Sequence, residues 1–414
     1  MTMKKYGLIG ERLGHSYSQI LHGLLADYEY RLVALAPGEL DGFLRGKELD
    51  GFNVTIPYKQ AVIPYLAELG PTARRIGSVN TVVRRPDGSL WGENTDAYGF
   101  TRMAQSAGVD FRGRKTLVLG SGGTSLTARA VVEEAGGEAV VISRHGENDY
   151  QHLDAHRDAT FLVNATPVGM YPRTGESPVD LSRLPRLEGV LDVIYNPLRT
   201  RLLQQARALG IPCADGLKML VYQAARACEL FTGEPVGEAR ARAAESSLRK
   251  ATMNLTLVGM PGCGKTTVGR ALQKLTKRPL IDVDQAIEKE AGSSIPEIFQ
   301  REGEAGFRAR EKEMLRRYGQ ETGRILVTGG GAVKDSENRA HLMLNGFVVH
   351  LTRPLEALST GGRPLSTGRE ALERLWRERE PLYRACADCQ IANQTTPDEC
   401  AGKIMEALDE ALRA

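Results

Sequence analysis

Residues 259–266 read Gly-Met-Pro-Gly-Cys-Gly-Lys-Thr, the G-x-x-x-x-G-K-[ST] spacing of a phosphate-binding loop, with an apolar run before it and a helical pattern after it. Glycines there let backbone N–H groups turn toward a phosphate, and the helix that follows offers its positive end. The nucleotide contacts expected of this loop are Gly262, Cys263, Gly264, Lys265, Thr266 and Thr267, with Lys265 on the outer phosphates and Thr266 holding Mg²⁺. A second glycine turn, Gly120-Ser121-Gly122-Gly123-Thr124-Ser125, follows another strand pattern and reads G-x-G-x-x-S, a dinucleotide fingerprint with Ser125 where the third glycine usually stands. The next strand, residues 138–142, ends in Ser143-Arg144 rather than in an acid. An acid there accepts a ribose 2′-hydroxyl, whereas Arg144 pairs with a 2′-phosphate, so NADP(H) is favoured over NAD. His145 is the only further basic help in that loop, and the preference is expected to be looser than with two cations.

Other polar residues are ambiguous one at a time. Ser16 and Ser18 stand near a helix start, where they cap it or grip a carboxylate. Asn53 and Thr55 share one face of a strand that stops at Pro57, and Lys59 lies just beyond it. Asn80, Asn94 and Asp96 ride on a strand pair joined by a turn at residues 86–88. In the second half, a strand from residue 279 ends in Asp282-Val-Asp284, Arg308 falls near a helix start, and Gly329, Gly330 and Gly331 leave a third strand. Arg363 lies in a glycine-rich loop and Arg379 on a helix. Taken singly, these are turn chemistry and solvated charge.

The elements that must position them form an α/β chain. Its 414 residues suffice for two or three domains, and 42% apolar content, 25% charged content and 45 glycines suit a soluble α/β enzyme. A net charge of +3 is too small to suggest a nucleic-acid or membrane surface, and no apolar run approaches a membrane span. The N-terminus lacks a signal-peptide core, so a cytoplasmic protein is expected, with its six scattered cysteines reduced despite the lone Cys386-x-x-Cys389. The expected layout is a substrate lobe over 1–98, completed by a helix over 216–236, and a Rossmann-type dinucleotide lobe over 99–215. A solvated helical linker without an apolar stripe follows over 237–252, then a P-loop domain with a parallel sheet over 253–414.

The ordered set Gly-His-Ser-Tyr-Ser, Asn-Val-Thr-Ile-Pro-Tyr-Lys, Gly-Ser-Val-Asn-Thr and Gly-Glu-Asn-Thr-Asp resembles shikimate dehydrogenase, and the likeness runs over residues 5–236. It implies that Ser16 and Ser18 hold the substrate carboxylate while Thr55, Asn80 and Asp96 bind ring hydroxyls. Lys59 and Asp96 become the catalytic pair: hydride reaching a ketone carbon leaves charge on oxygen, which a placed lysine neutralises with a proton. Tyr195, at a strand end, and Gln223 are implied substrate contacts, and Gly216 and the loop 164–170 cofactor contacts. Pro71 departs from the family, which commonly has an acid there.

Residues 254–412 resemble shikimate kinase through D-x-D, F-R-x-x-E, the triple glycine and R-x-x-L-Y. Arg308 and Arg379 are then implied to clamp the carboxylate of shikimate, Gly330 to approach its ring, and Asp284 to bind the hydroxyl that is phosphorylated. Asp282 joins Thr266 around Mg²⁺, and Arg363 swings in from a lid, residues 354–363, shorter than the family's usual one. The whole implies a fusion that reduces 3-dehydroshikimate with NADPH and phosphorylates the resulting shikimate with MgATP, with no nucleic-acid or membrane partner; the oligomeric state is left open by the sequence, a monomer being favoured. Three rivals are an NAD-dependent quinate/shikimate dehydrogenase in the front half, one half kept as a non-catalytic binding module, and a kinase for another polyol such as gluconate. The last leaves Arg308, the triple glycine and Arg379 without a role.

Overall fold

A computed structural model describes residues 4–14, 16–145, 147–358 and 369–413. The chain forms two compact units. The first comprises the residues up to Met170, Glu176–Tyr195 and Leu202–Leu248, and the second Tyr171–Gly175, Asn196–Arg201 and everything from Arg249 on.

The first unit contains two sheets. One is mixed, in the order Glu29–Ala34, Lys5–Gly10, Gly51–Val54, Thr81–Arg84, Leu90–Glu93, Glu68–Leu69. Thr81–Arg84 and Leu90–Glu93 pair antiparallel as the expected hairpin, closed by a turn in which the Gly88 N–H donates to the Arg85 carbonyl at 2.9 Å. The other sheet is parallel throughout, in the order Cys213–Ala214, Gly189–Asp192, Phe161–Asn164, Lys115–Leu119, Glu138–Ile142. Leu117, Val118 and Leu119 are wholly buried, as a parallel strand covered on both faces requires. Helix Leu217–Thr232 runs along helix Asp96–Ser106 and then meets the mixed sheet. Phe231 stacks on Tyr6 at 4.6 Å, and the Tyr6 hydroxyl donates to the Phe231 carbonyl at 2.7 Å.

The segment expected to be a solvated spacer is a helix, Glu238–Thr252, but it is not free. Ala241, Ala244 and Leu248 are buried along one stripe, the Tyr222 hydroxyl donates to Glu238, and the Arg240 side chain donates to the Leu24 carbonyl. Alanines make a weak hydropathy signal, yet their small size permits close approach of the helix backbone, which is why the stripe was invisible in the sequence. Leu248→Ala should therefore cost about 2–4 kcal/mol, read as a lower denaturation midpoint. An unchanged midpoint would restore the spacer.

The second unit has a five-stranded parallel sheet in the order Leu280–Asp282, Ile325–Val327, Asn254–Val258, Gly346–Thr352, Cys389–Ala392. The phosphate-loop motif leaves its central strand and enters helix Lys265–Thr276. Two local expectations need correction. The strand of the D-x-D motif stops at Asp282, which caps helix Val283–Ala291 by accepting from the Gln285 N–H, so Asp284 sits in that helix's first turn. Tyr195 lies in a loop three residues past strand Gly189–Asp192. Arg308, by contrast, lies about one turn into the second of two helical segments that meet at Gly303 (φ 70°, ψ −175°) within Ile295–Gly319, near a helix start as expected. All six cysteines are free, and among the described residues no group of three His, Cys, Asp or Glu side chains is arranged for a metal. No described helix is long and apolar enough to cross a membrane.

Candidate active sites

In the first unit, Lys59 follows strand Gly51–Val54 and Asp96 opens helix Asp96–Ser106 directly after the hairpin. Lys59 Nζ donates to Asp96 Oδ2 at 2.5 Å, with the two side chains 15% and 9% exposed. The other oxygen, Oδ1, accepts from Asn80 Nδ2 at 2.9 Å. Asn80 Oδ1 accepts the Thr95 backbone N–H at 2.7 Å, which fixes the amide the right way round, so Nδ2 must face the carboxylate. Gln223 Oε1 stands 3.3 Å from the same Nδ2. Lys59, Asp96, Asn80 and Gln223 are thus brought together.

Asn94 is not part of this group: its amide donates to the Ser78 carbonyl and accepts from the Ala97 N–H, which is turn chemistry. The hydroxyls of Ser16 and Ser18 lie 3.1 Å apart, and Ser16 Oγ accepts the backbone N–H of Ser18, the first residue of helix Ser18–Leu25, at 3.2 Å, so Ser16 serves the helix start as well as standing beside the Ser18 hydroxyl. Tyr17, between them, packs its ring 5.4 Å from that of Tyr195, which brings Tyr195 to the serine loop. Burial pushes the Tyr195 phenol up to about 12, leaving it a neutral donor. Thr55 stands partly exposed just past the strand end.

The dinucleotide turn meets this cluster. Helix Gly123–Glu134 has no side-chain cap, so its first N–H groups remain available to an anion. A Cβ on Gly123 would lie 3.3 Å from Ser78 Oγ and 3.6 Å from Lys59 Cδ, so the first turn rests on the stem of Lys59. Ser121 and Gly122 are exposed at the turn, with Thr124 behind them. Ser125 Oγ donates to the Gly120 carbonyl at 2.6 Å, a bond that closes the turn where the third glycine is missing. Arg144 is exposed beyond strand Glu138–Ile142, and Ser143 Oγ donates to the His145 carbonyl. Gly216 has a packing reason: a Cβ there would lie 2.0 Å from the Val193 carbonyl oxygen.

In the second unit, Gly264 holds φ +96° at the mouth of helix Lys265–Thr276, a conformation that favours glycine. Lys265, 8% exposed, donates from Nζ to the Gly259 and Met260 carbonyls at 2.9 and 3.0 Å, which holds its charge over the loop. Thr266 Oγ1 donates to Asp282 Oδ2 at 2.9 Å. A hydroxyl and a carboxylate side by side at the loop's end are hard oxygen donors suited to Mg²⁺.

The remaining residues converge on the glycine exit. A Cβ on Gly329 would lie 2.9 Å from Asp284 Oδ1 and 3.2 Å from Glu311 Oε1, and one on Gly331 would lie 2.6 Å from Arg308 Nη2. Arg308 Nη1 donates to Glu311 Oε2 at 2.8 Å, and Tyr383, one helical turn beyond the buried Arg379, donates to the Gly330 carbonyl at 2.5 Å. Glu311 was not singled out from the sequence. It is wholly buried, burial pushes its carboxyl up, the neighbouring Asp284 adds to this and Arg308 opposes it. Its signal was the i, i+3 spacing from Arg308 in F-R-x-x-E. A pocket lined by Arg308, Glu311, Gly331 and Asn338 opens here. Arg363 lies outside the described residues.

Comparison with known proteins separates the same two parts. Family models match residues 8–82 (shikimate dehydrogenase substrate binding domain), 216–244 (shikimate 5′-dehydrogenase C-terminal domain) and 261–409 (shikimate kinase). A shikimate dehydrogenase (NADP(+)) of Caldanaerobacter subterraneus subsp. tengcongensis is 36% identical over 261 residues, which are 56% of this chain and 93% of that protein. The chain belongs to the shikimate dehydrogenase family. Joined to that dehydrogenase in one polypeptide is a shikimate kinase domain, so the protein is a shikimate-pathway enzyme with two activities. Among solved structures, the dehydrogenase half is similar to shikimate 5-dehydrogenase of Thermus thermophilus, in complex with NADP(H) and shikimate (32% identity, TM-score 0.55, 59% of this chain and 99% of that one). It is also similar to quinate dehydrogenase of Corynebacterium glutamicum in complex with NAD (30% identity, TM-score 0.54, 59% and 99%).

Proposed function

We propose that the chain catalyses two consecutive reactions: NADPH-dependent reduction of 3-dehydroshikimate to shikimate, and MgATP-dependent phosphorylation of shikimate at its 3-hydroxyl. The observation that carries the first is the Lys59–Asp96 contact at 2.5 Å, backed by Asn80 and abutting the start of the dinucleotide helix. Bound NADPH supplies the hydride. Lys59 gives a proton to the carbonyl oxygen as the hydride reaches its carbon, so that ketone becomes alcohol, and Asp96 aims the ammonium. Ser16 and Ser18 take the ring carboxylate, with Thr55, Asn80, Tyr195 and Gln223 around the ring.

For the second reaction, Arg308 and Arg379 hold the same carboxylate and the Gly330 backbone lies along the ring. Asp284 orients the attacking hydroxyl and takes its proton. Bound MgATP supplies the phosphoryl group. Thr266 and Asp282 hold the metal, and Lys265, together with Arg363, offsets charge on the transferring group. The cytoplasm, where six free thiols stay reduced, is the compartment we assign.

Incubation with limiting 3-dehydroshikimate, NADPH and MgATP should oxidise one NADPH per ADP formed and end in shikimate 3-phosphate. A run in which NADPH is oxidised without matching ADP formation, or not oxidised at all, refutes the pairing. The second reading, NAD-dependent quinate oxidation, draws on the likeness to quinate dehydrogenase. Arg144 argues against it. Arg144→Ala should raise the KM for NADPH about 10- to 100-fold, the worth of a charge-assisted bond to a phosphate, and leave that for NADH unchanged. Equal effects on both would favour the rival.

A further inference from the structure

Behind the Lys59–Asp96 pair runs a buried hydrogen-bonded chain that begins on a different strand. The Tyr30 hydroxyl, on edge strand Glu29–Ala34, donates to Asn53 Oδ1 at 2.7 Å. This bond identifies the oxygen side of the Asn53 amide, so its Nδ2 points the other way. There it donates to the Asn80 carbonyl at 3.2 Å and to Thr81 Oγ1 at 3.0 Å. With that lone pair taken, the Thr81 proton goes to Asn80 Oδ1 at 3.2 Å or to Thr95 Oγ1 at 3.1 Å. Asn80 in turn holds Asp96. Tyr30, Asn53, Asn80, Thr81 and Thr95 are each no more than 5% exposed. His22 lies flat on Tyr30 with ring centroids 3.8 Å apart, and burial keeps the Tyr30 phenol protonated and therefore a donor.

We infer that Tyr30 and Asn53 are positioning residues for the reductase reaction, acting through Asn80 on the orientation of Asp96 and hence of Lys59. The claim rests on the reading of Lys59 and Asp96 as the reacting pair. Neither Tyr30 nor Asn53 touches that pair. Asn53 grips Asn80 at its main-chain carbonyl and, through Thr81, at its amide oxygen, so it fixes both the place and the rotation of the group that faces Asp96. Buried networks of this kind couple their members more strongly than isolated bonds, and a small displacement of a reacting group lowers a rate steeply. A network serving only to satisfy buried polar groups would register in stability alone.

Tyr30→Phe keeps the ring and deletes one hydroxyl. Its matched control is Tyr6→Phe, which removes an equally buried bond, to the Phe231 carbonyl, in the same sheet. In the full chain, the circular-dichroism spectrum reports on intact folding, because shikimate phosphorylation reads the second unit alone. Tyr30→Phe should lower kcat for 3-dehydroshikimate reduction about 5- to 20-fold, with KM for both substrates within about twofold, while Tyr6→Phe changes the melting temperature and leaves kcat alone. Asn53→Ala should lower kcat about 100-fold, and adding Tyr30→Phe to it should do nothing more, because Tyr30 acts only through Asn53. If Tyr30→Phe behaves as Tyr6→Phe does, or raises KM in place of lowering kcat, or is additive with Asn53→Ala, the inference is overturned. Should Lys59→Ala reduce the ketone at the parent rate, it is the assignment of the pair that has failed.

Discussion

Lys59→Ala is expected to reduce 3-dehydroshikimate about 10³-fold more slowly than the parent chain, while phosphorylating supplied shikimate at the parent rate. The size follows from what the lysine does. The oxygen of a ketone receiving hydride acquires most of a negative charge, and a placed ammonium both attracts that charge and removes it by proton transfer. The Asp96 carboxylate at 2.5 Å and the buried stem of Lys59 against Gly123 leave the ammonium little freedom, so water entering the vacated space does not reproduce its position. The loss should fall in kcat for the ketone. NADPH oxidation and ADP formation, followed separately with 3-dehydroshikimate and shikimate as the supplied substrates, read the two activities from one preparation. An unaltered NADPH oxidation rate would remove Lys59 from the reaction.

Lys265→Met should do the reverse: ADP formation with shikimate falls about 10³-fold or more, and ketone reduction persists. Lys265 is nearly buried, and two carbonyls of its own loop, Gly259 and Met260, hold its ammonium above the turn. Methionine preserves the length and apolar stem of the side chain and removes only the charge, so packing of helix Lys265–Thr276 should survive. The positive charge matters because the transferring phosphoryl spreads its negative charge over oxygens within reach of the loop. Loss of both activities from either substitution would contradict independent reaction centres.

Much of this arrangement was legible in the order of residues. Local motifs carry their own geometry: glycines at 259, 262 and 264 with Lys265 and Thr266, or Gly120 and Gly122 ahead of a helix, require only a strand before and a helix after, and both are present. The hairpin that carries Asn80 and Asp96 is likewise written in a Pro-Asp-Gly turn between two apolar stretches. Harder to see was anything set by a neighbour distant in the chain. Nothing in Glu238–Thr252 says that its alanines are buried, because alanine has little hydropathy and the partner surface lies elsewhere. The capping role of Asp282, which moves Asp284 from strand to helix, was available in principle, since an aspartate ahead of a helical pattern is a capping signal.

What the sequence by itself determined is the inventory and its local frames: two glycine loops, the lysines Lys59 and Lys265, and the carboxylates and guanidiniums of the same motifs. What only the tertiary structure decided is which of these touch. Lys59 and Asp96 are 37 residues apart, and Asn80 and Gln223 are 143 apart, yet they share one hydrogen-bonded cluster. Asn94, in the same motif as Asp96, is turned to the backbone. Glu311 became visible as a buried carboxylate between Arg308 and Asp284 only when Gly329, from another strand's exit, was laid beside it. Residue type and short spacing act through local backbone geometry, which a sequence carries within a few positions. Burial, orientation and the charge a group feels are set by whatever packs against it, and in this fold that partner comes from far along the chain.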